Sequence, residues 1–385
     1  MDRVVKPEIT VLGKTFSRYF FFVVVGLINA ITLAMVLTSV TGASHITIII
    51  VICIDVIVLL TLAMLTKIIL GGEQYTFYHY MILVLLVSPL LLNIMGVPVF
   101  PYLDIIAIVL ILNLGVGRMG CFMVGCCHGK PGRWGVLYGE KHARAGFTTL
   151  YYGVRLFPLQ LLELFLAFIV VAAGVWILLY QLPGDACAWM IVSYSLVRYA
   201  LEYFRGDSGR PYRKGFSEAQ WTSLGLMITA AVIEYMGLLP FHTWHVMVTA
   251  GTIVSIVIIA FIRRSAAAKR HLLLNPNHIQ ELSDMVCHLS KDVDSNIKYS
   301  WRTTLKKEEI QVGCTSLGIQ VSWGVLNSEN DLVHHYSFSC KKKVMNSETA
   351  KTLAELVIRL WYPSCKSELI DSKKGIYHLL INKEL

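Results

Sequence analysis

The chain has 385 residues, 55% of them hydrophobic and only 15% charged, with a formal net charge of +9 and a mean hydropathy of +0.60. A soluble globular protein of this length has no use for so much apolar surface, so the composition excludes that class and predicts a polytopic membrane protein. No nucleic-acid partner is expected.

In chain order, the uncharged run Tyr19–Thr41 is long enough to cross a bilayer, and Ile46–Thr66 follows with one acid, Asp55. Further spans are predicted at Tyr80–Phe100, Leu103–Gly117, Leu156–Gln181, Ala186–Phe204, Glu218–Leu239 and Trp244–Ile262. Leu103–Gly117 is the weakest of them, being short and carrying Asp104 and Asn113. The expected fold is an all-α bundle of about seven or eight transmembrane helices. No cleavable signal peptide is expected, because the first run is too long and lacks a nearby small-residue cleavage site.

Between the fourth and fifth spans lies Gly117-Arg118-Met119-Gly120-Cys121-Phe122-Met123-Val124-Gly125-Cys126-Cys127-His128-Gly129. Its four glycines allow close backbone approach, and Arg118 at a membrane edge calls for an anion, for which a lipid phosphate is the natural choice. The segment reads as a glycine-cysteine loop. Cys126-Cys127-His128 invites a metal, but adjacent cysteines strain to fill two corners of one zinc tetrahedron, and no second Cys/His pair follows at ligand spacing. No metal and no cofactor are expected. Arg118, Lys130 and His128 would instead favour a thiolate, with a small buried packing role as the alternative.

Gln160 and Glu163 share a face at the start of the fifth span, where Glu163 could serve as a general base, a counter-ion to an arginine or a plain helix-entry carboxylate. In the sixth span Tyr194, Arg198, Glu202 and Arg205 fall at about 0°, 40°, 80° and 20° around a helix, hence on one stripe. Burying such charges costs roughly 2.5–3.5 kcal/mol each, so they pair, line a wet cavity or meet an anion. Gln220 at the start of the seventh span and His79 at the start of the third are weaker candidates, and interfacial belts account for Tyr75, Tyr78 and Tyr80. Asp55 reads as an interhelical hydrogen-bonding residue.

Composition changes after residue 263. A basic linker over 264–299, with a helix at Ile279–Leu289, leads to a soluble α+β domain over 300–385. In that domain Ile310–Leu326, Leu332–Cys340 and Gly375–Ile381 look like strands, and Ser347–Trp361 like an amphipathic helix. The nine scattered cysteines form no disulfide framework. Arg3, Lys6, Lys14 and Arg18, the stretches Arg118 to Arg155 and Arg205 to Lys214, and Arg263, Arg264, Lys269 and Arg270 all fall on one side. The opposite connections, 42–45, 96–102, 182–185 and 240–243, hold no Lys or Arg, which predicts that both termini and the glycine-cysteine loop are cytoplasmic.

Three segments, over roughly residues 19–240, resemble the prolipoprotein diacylglyceryl transferases. Gly117 to Cys126 fits that family's G-R-x-G-N-F-x-N-G-E frame, Phe157 to Glu163 echoes H-P-S-Q-x-x-E, and Tyr194 to Arg205 echoes Y-G-x-x-R-x-x-x-E-F-x-R. Cys121, Val124 and Cys126 stand where the family has two asparagines and a glutamate, and Tyr80 and Met81 follow His79 where it has glycines.

The resemblance implies transfer of a diacylglyceryl group from phosphatidylglycerol to a thiol, at a multi-pass protein of the cell (inner) membrane. The thiol is classically a lipoprotein-precursor cysteine, or another protein or small molecule. Arg118 and Arg198 would hold the phosphodiester, Glu202 would orient Arg198, and His128 or Glu163 would take the acceptor proton. Cys121 and Cys126 would line the pocket or carry the group covalently, and Tyr194, Arg205, Gln160, His79 and Gln220 would bind substrate. A cytoplasm-facing transferase with a non-lipoprotein acceptor, an anionic lipid or metabolite transporter, and a membrane anchor or sensor are the rival readings.

Overall fold

Long apolar runs in this chain become helices because a backbone in an apolar surrounding must satisfy its own hydrogen bonds. The computed structural model describes residues 5–11, 13–70, 77–151, 153–264, 272–291, 300–303, 309–328, 331–341, 344–362, 365–372 and 375–383. Arg3, Tyr75, Lys269 and Arg270 lie outside the described residues, as do 265–271 and 292–299 of the basic linker.

A hairpin of β1 (Glu8–Val11) and β2 (Lys14–Ser17) precedes α1 (Arg18–Thr41), α2 (His45–Leu70), α3 (Phe77–Ile94) and α4 (Val99–Val124). After β3 (Pro131–Leu137), the short α5 (Glu140–Arg144) and β4 (Arg155–Leu156) come α6 (Leu159–Tyr180) and α7 (Asp185–Leu201). A 3-10 turn at Glu202–Phe204, β5 (Tyr212–Arg213) and β6 (Phe216–Ser217) lead to α8 (Glu218–Tyr235) and α9 (Thr243–Arg264). Among the described residues, five helices are long and apolar enough to cross a membrane, namely α1, α2, α4, α6 and α9. The other expected spans form α3, α7 and α8, helices of 18, 17 and 18 residues. Ser88 donates to Asp55 at 2.8 Å, joining α3 to α2 as expected.

The fourth span departs from the expectation. It is not a short run ending at Gly117 but a helix of 26 residues that carries Arg118, Gly120 and Cys121 within it. Two packing facts outweigh the poor helix propensity of glycine and the buried acid. A Cβ on Gly120 would lie 3.0 Å from both Cα and O of Tyr19, so the missing side chain is what lets α1 and α4 meet. The buried Asp104 accepts from the backbone N–H of Gly184 and of Cys187, both at 2.7 Å, and so caps α7. The loop proper begins only at Gly125, which ends α4 in the left-handed region at φ +89°.

The described residues form two compact units. One holds the chain up to Phe147, Arg155–Gly206 and Pro211–Ile258; the other holds Thr148–Val154, Asp207–Arg210 and the chain from Ile259 onward. In the second unit an antiparallel sheet runs in the order β11-β12-β10-β9-β8-β7, built from β7 (Ser300–Thr303), β8 (Glu309–Cys314), β9 (Ile319–Ser328), β10 (Asp331–Cys340), β11 (Lys366–Asp371) and β12 (Tyr377–Lys383). The single strand expected over Ile310–Leu326 is a hairpin, split where Gly318 turns at φ +76°. The expected helix Ser347–Trp361 is α11, and Leu353, Ala354 and Val357 on its apolar face join the sheet's core.

The helix expected inside the linker is α10 (Pro276–Lys291), and Leu282, Met285, Val286 and Leu289 pack into that same core. Two loops from the middle of the chain belong to this unit as well. Thr148 donates to Gln280 at 3.1 Å, Asn277 donates to the Arg210 carbonyl at 2.7 Å, and Asn277 Oδ1 accepts from Gly209 N–H at 2.8 Å.

Candidate active site

Three chain segments distant in sequence are stitched together by backbone pairing. Gly129 N–H donates to the Phe157 carbonyl at 2.9 Å, Lys130 N–H to Phe204 at 3.0 Å and Gly206 N–H to His128 at 3.0 Å. The loop after α4 thereby joins the entry of α6 to the exit of α7. The approach is close enough that a Cβ on Gly206 would sit 2.6 Å from the Gly129 carbonyl oxygen, so no larger residue fits there. The last carbonyls of α4 are also capped from outside, Phe122 by the Tyr138 hydroxyl at 3.1 Å and Met123 by His142 Nε2 at 3.1 Å.

This stitching gathers the charged residues. Arg118 Nε lies 2.9 Å from Glu163 Oε2, while Tyr194 donates to Glu163 Oε1 at 2.9 Å. Arg198 Nη2 lies 3.0 Å from Glu202 Oε2. Arg118, Arg198, Arg205, Glu163, Glu202 and Tyr194 are all buried, and all three guanidiniums act on the Glu163 carboxylate. With both oxygens engaged, Glu163 is arranged as a counter-ion and anchor. Arg198 Nη1 and Gln220 Nε2 are buried donors without a protein acceptor among the described residues. Gln220 Oε1 meanwhile accepts from Ser217 N–H at 3.0 Å to complete the N-terminal cap of α8.

At the loop, Gln160 donates to the Cys126 carbonyl at 2.7 Å. His128 is buried, and its Nδ1 meets the Gly129 carbonyl at 2.8 Å. A carbonyl can only accept, so Nδ1 carries the proton and Nε2 keeps its lone pair in the neutral ring. The sulfurs of Cys121, Cys126 and Cys127 lie within 4.8 Å of one another. Cys127 reaches this arrangement at φ +59°, a left-handed backbone that non-glycine residues adopt under constraint. Hydrogen bonds from the thiols of Cys121 and Cys126, then Arg205 and Arg118, hold the Cys127 thiol well below its ordinary range against the opposing effect of burial. The same sharing pushes Cys126 up. Of the two adjacent thiols, Cys127 is therefore the one favoured as thiolate.

His79 is placed apart from this cluster, half exposed and 3.6 Å from Glu218. Its neighbour Tyr78 is the residue that the sequence reading missed. Expected in an interfacial belt, it is buried, with its hydroxyl on Ser223 and its ring 6.3 Å from that of Tyr194. The available signal was weak, because a tyrosine at a span start reads as an interfacial anchor unless the facing helix offers it a hydroxyl.

Residues 9–236 match the family model described as prolipoprotein diacylglyceryl transferase. A protein of Clostridium tetani named phosphatidylglycerol–prolipoprotein diacylglyceryl transferase is 27% identical over 110 residues. That stretch is 28% of this chain and 43% of the relative, so the match spans less than half of the relative's length. The family match covers more than half of the chain and every residue of the buried cluster, and the chain belongs to the prolipoprotein diacylglyceryl transferase family.

Proposed function

We propose that this protein moves a diacylglyceryl group from a phosphatidylglycerol-like donor to a thiol acceptor. The observation that carries the reading is Arg198 Nη1, a buried donor without a protein acceptor among the described residues, in a cluster where Arg118, Arg198 and Arg205 all act on Glu163. Buried donors are almost always paired, and a phosphodiester supplies oxygens of matching charge.

In the step itself, the acceptor sulfur attacks the glycerol carbon and an S–C bond forms as the C–O bond to phosphate breaks. The electron pair leaves on glycerol phosphate. The thiol proton goes to His128 Nε2, whose tautomer the Gly129 carbonyl fixes. Arg118 and Arg198 stabilise the charge that builds on the leaving group, while Glu163 and Glu202 position them. The exchange is redox-neutral.

The Lys and Arg distribution places this loop on the cytoplasmic side in our reading, which favours an acceptor other than an exported lipoprotein precursor. The test is transfer of labelled diacylglyceryl from phosphatidylglycerol vesicles to a cysteine peptide or to small thiols, using purified protein. Arg118→Gln and Arg198→Gln are each expected to lower the rate about 100-fold or more. Glu163→Gln alone is expected to destabilise by about 3–5 kcal/mol, because it leaves Arg118 buried and unpaired. Adding Arg118→Gln to it should restore stability without restoring transfer. Wild-type rates in Arg118→Gln would refute the assigned role.

A further inference from the structure

Away from the arginine cluster, where α7 begins, α8 ends and α9 begins, four titratable side chains converge. Glu234, His245 and Asp185 are at most 5% exposed, and His242 is half-buried beside them. Ring nitrogens of His242 and His245 and a carboxylate oxygen of Glu234 come within 4.8 Å of one another. The two imidazoles are 5.2 Å apart between centroids. Glu234 also accepts from the His242 backbone N–H at 3.3 Å.

Both rings are held in the same tautomer. His242 Nδ1 meets the Pro240 carbonyl at 3.1 Å, and His245 Nδ1 meets a Glu234 carboxylate oxygen. Each Nδ1 therefore donates, which leaves the Nε2 lone pair of each ring to be satisfied in some other way. His245 Nε2 is buried with no partner among the described residues, and His242 Nε2 faces Asp185 Oδ1 at 3.6 Å, beyond hydrogen-bond distance. Asp185 Oδ1 is itself buried without a hydrogen-bond partner among the described residues, while Oδ2 accepts from Leu182 N–H at 3.0 Å.

In the neutral ring the His242 Nε2 lone pair and the Asp185 Oδ1 it faces repel unless positive charge lies between them. Neither connection that meets here, 182–185 or 240–243, contains Lys or Arg. An imidazole whose Nδ1–H is anchored on a carbonyl or a carboxylate while Nε2 is open is the arrangement that orients metal-ligating histidines.

We propose that His242, His245 and Asp185 hold a divalent metal ion of the zinc class, with Glu234 orienting His245 through its Nδ1–H. Imidazole nitrogens and carboxylate oxygens are ligands suited to that ion. The ion neutralises Asp185 and ties the start of α7 to the start of α9, while Glu234 at the end of α8 holds His245 in place. Asp185 lies in the first turn of α7 and Arg198 in its last, so the site is separate from the transferase cluster.

The test uses the full-length protein in detergent, stripped with a chelator, incubated with zinc chloride and freed of excess metal. Elemental analysis should find one zinc per chain that persists when Cys121, Cys126 and Cys127 are all changed to Ser. His245→Gln and the more exposed His242→Gln should each weaken zinc binding at least about 100-fold. Zinc should raise the melting temperature of the wild type but not of His242→Gln, which keeps the test decisive if His245→Gln fails to fold. Cobalt in place of zinc should show no thiolate charge-transfer band. A wild type that takes up no zinc overturns the proposal. So does zinc that is lost with the three cysteines and retained by both histidine variants.

Discussion

At φ +59° Cys127 accepts a backbone that glycine takes freely, and that turn puts its sulfur within 4.8 Å of those of Cys121 and Cys126. Their hydrogen bonds, together with Arg205 and Arg118, hold its pKa below the ordinary range. Iodoacetamide at pH 6 should therefore label Cys127 well before Cys126, whose thiol is pushed up by the same sharing. Mass spectrometry of the labelled peptides decides it, and equal, slow labelling of both would contradict the assignment. Arg118, Arg198, Glu163 and Glu202 were legible in the sequence because a charge in an apolar run is costly and needs a reason. Cys127 was not distinguishable from Cys126, since which of two adjacent thiols ionises depends on the direction the backbone turns. His242-x-x-His245 passed unnoticed for a related reason, its acidic partners Asp185 and Glu234 being supplied by other helices.

Among the elements, α10 shows how a polar linker conceals a structural helix. His278 on it is buried between the Leu273 carbonyl and the Thr315 hydroxyl, and burial holds its pKa below the ordinary value. On the sheet, His335 Nε2 and His378 Nδ1 are 2.9 Å apart, and burial lowers both pKa values too. The sign follows directly: a depressed histidine pKa means that the unfolded chain binds more protons as pH falls below about 6.5, so stability present above that pH is lost beneath it.

We expect a fragment of residues 272–385 to fold as an α+β unit at pH 7.5 and to melt at lower temperature at pH 5.5. Circular dichroism at the two pH values checks this, and an unchanged midpoint would refute it. The apolar period of α11 was readable along its whole length. Strands β7 and β11 escaped because short polar edge strands carry no alternation, and the β8–β9 break escaped because apolar residues continue on either side of the turn. The extent of α4 escaped because a glycine lowers helix propensity locally while the contact it permits with Tyr19 is tertiary.

On the scale of the whole molecule, orientation is the open physical question with the plainest readout. Reporter fusions after residue 17 and after residue 269 should both be active in the cytoplasm, because the opposite connections hold no Lys or Arg. A reporter after residue 269 that works only outside the cytoplasm would reverse the orientation and restore an exported acceptor. The membrane class was clear from composition, and the family was clear from three motifs in order. Their convergence was not, because it depends on backbone hydrogen bonds from Gly129 to Phe157 and from Gly206 to His128, made by glycines that look like ordinary loop residues.

The partition of the chain also bears on how it can be shortened. Thr148, Gly209 and Arg210 lie inside the family-matched stretch, yet they take their hydrogen bonds from Gln280 and Asn277 of the C-terminal unit. Removing residues 272–385 would take these partners from Thr148, Gly209 and Arg210, whereas the fragment would keep its own sheet and the apolar residues of α10 and α11 that pack on it. Truncation is therefore asymmetric: the extension can stand alone, but the remainder is left with exposed loop groups.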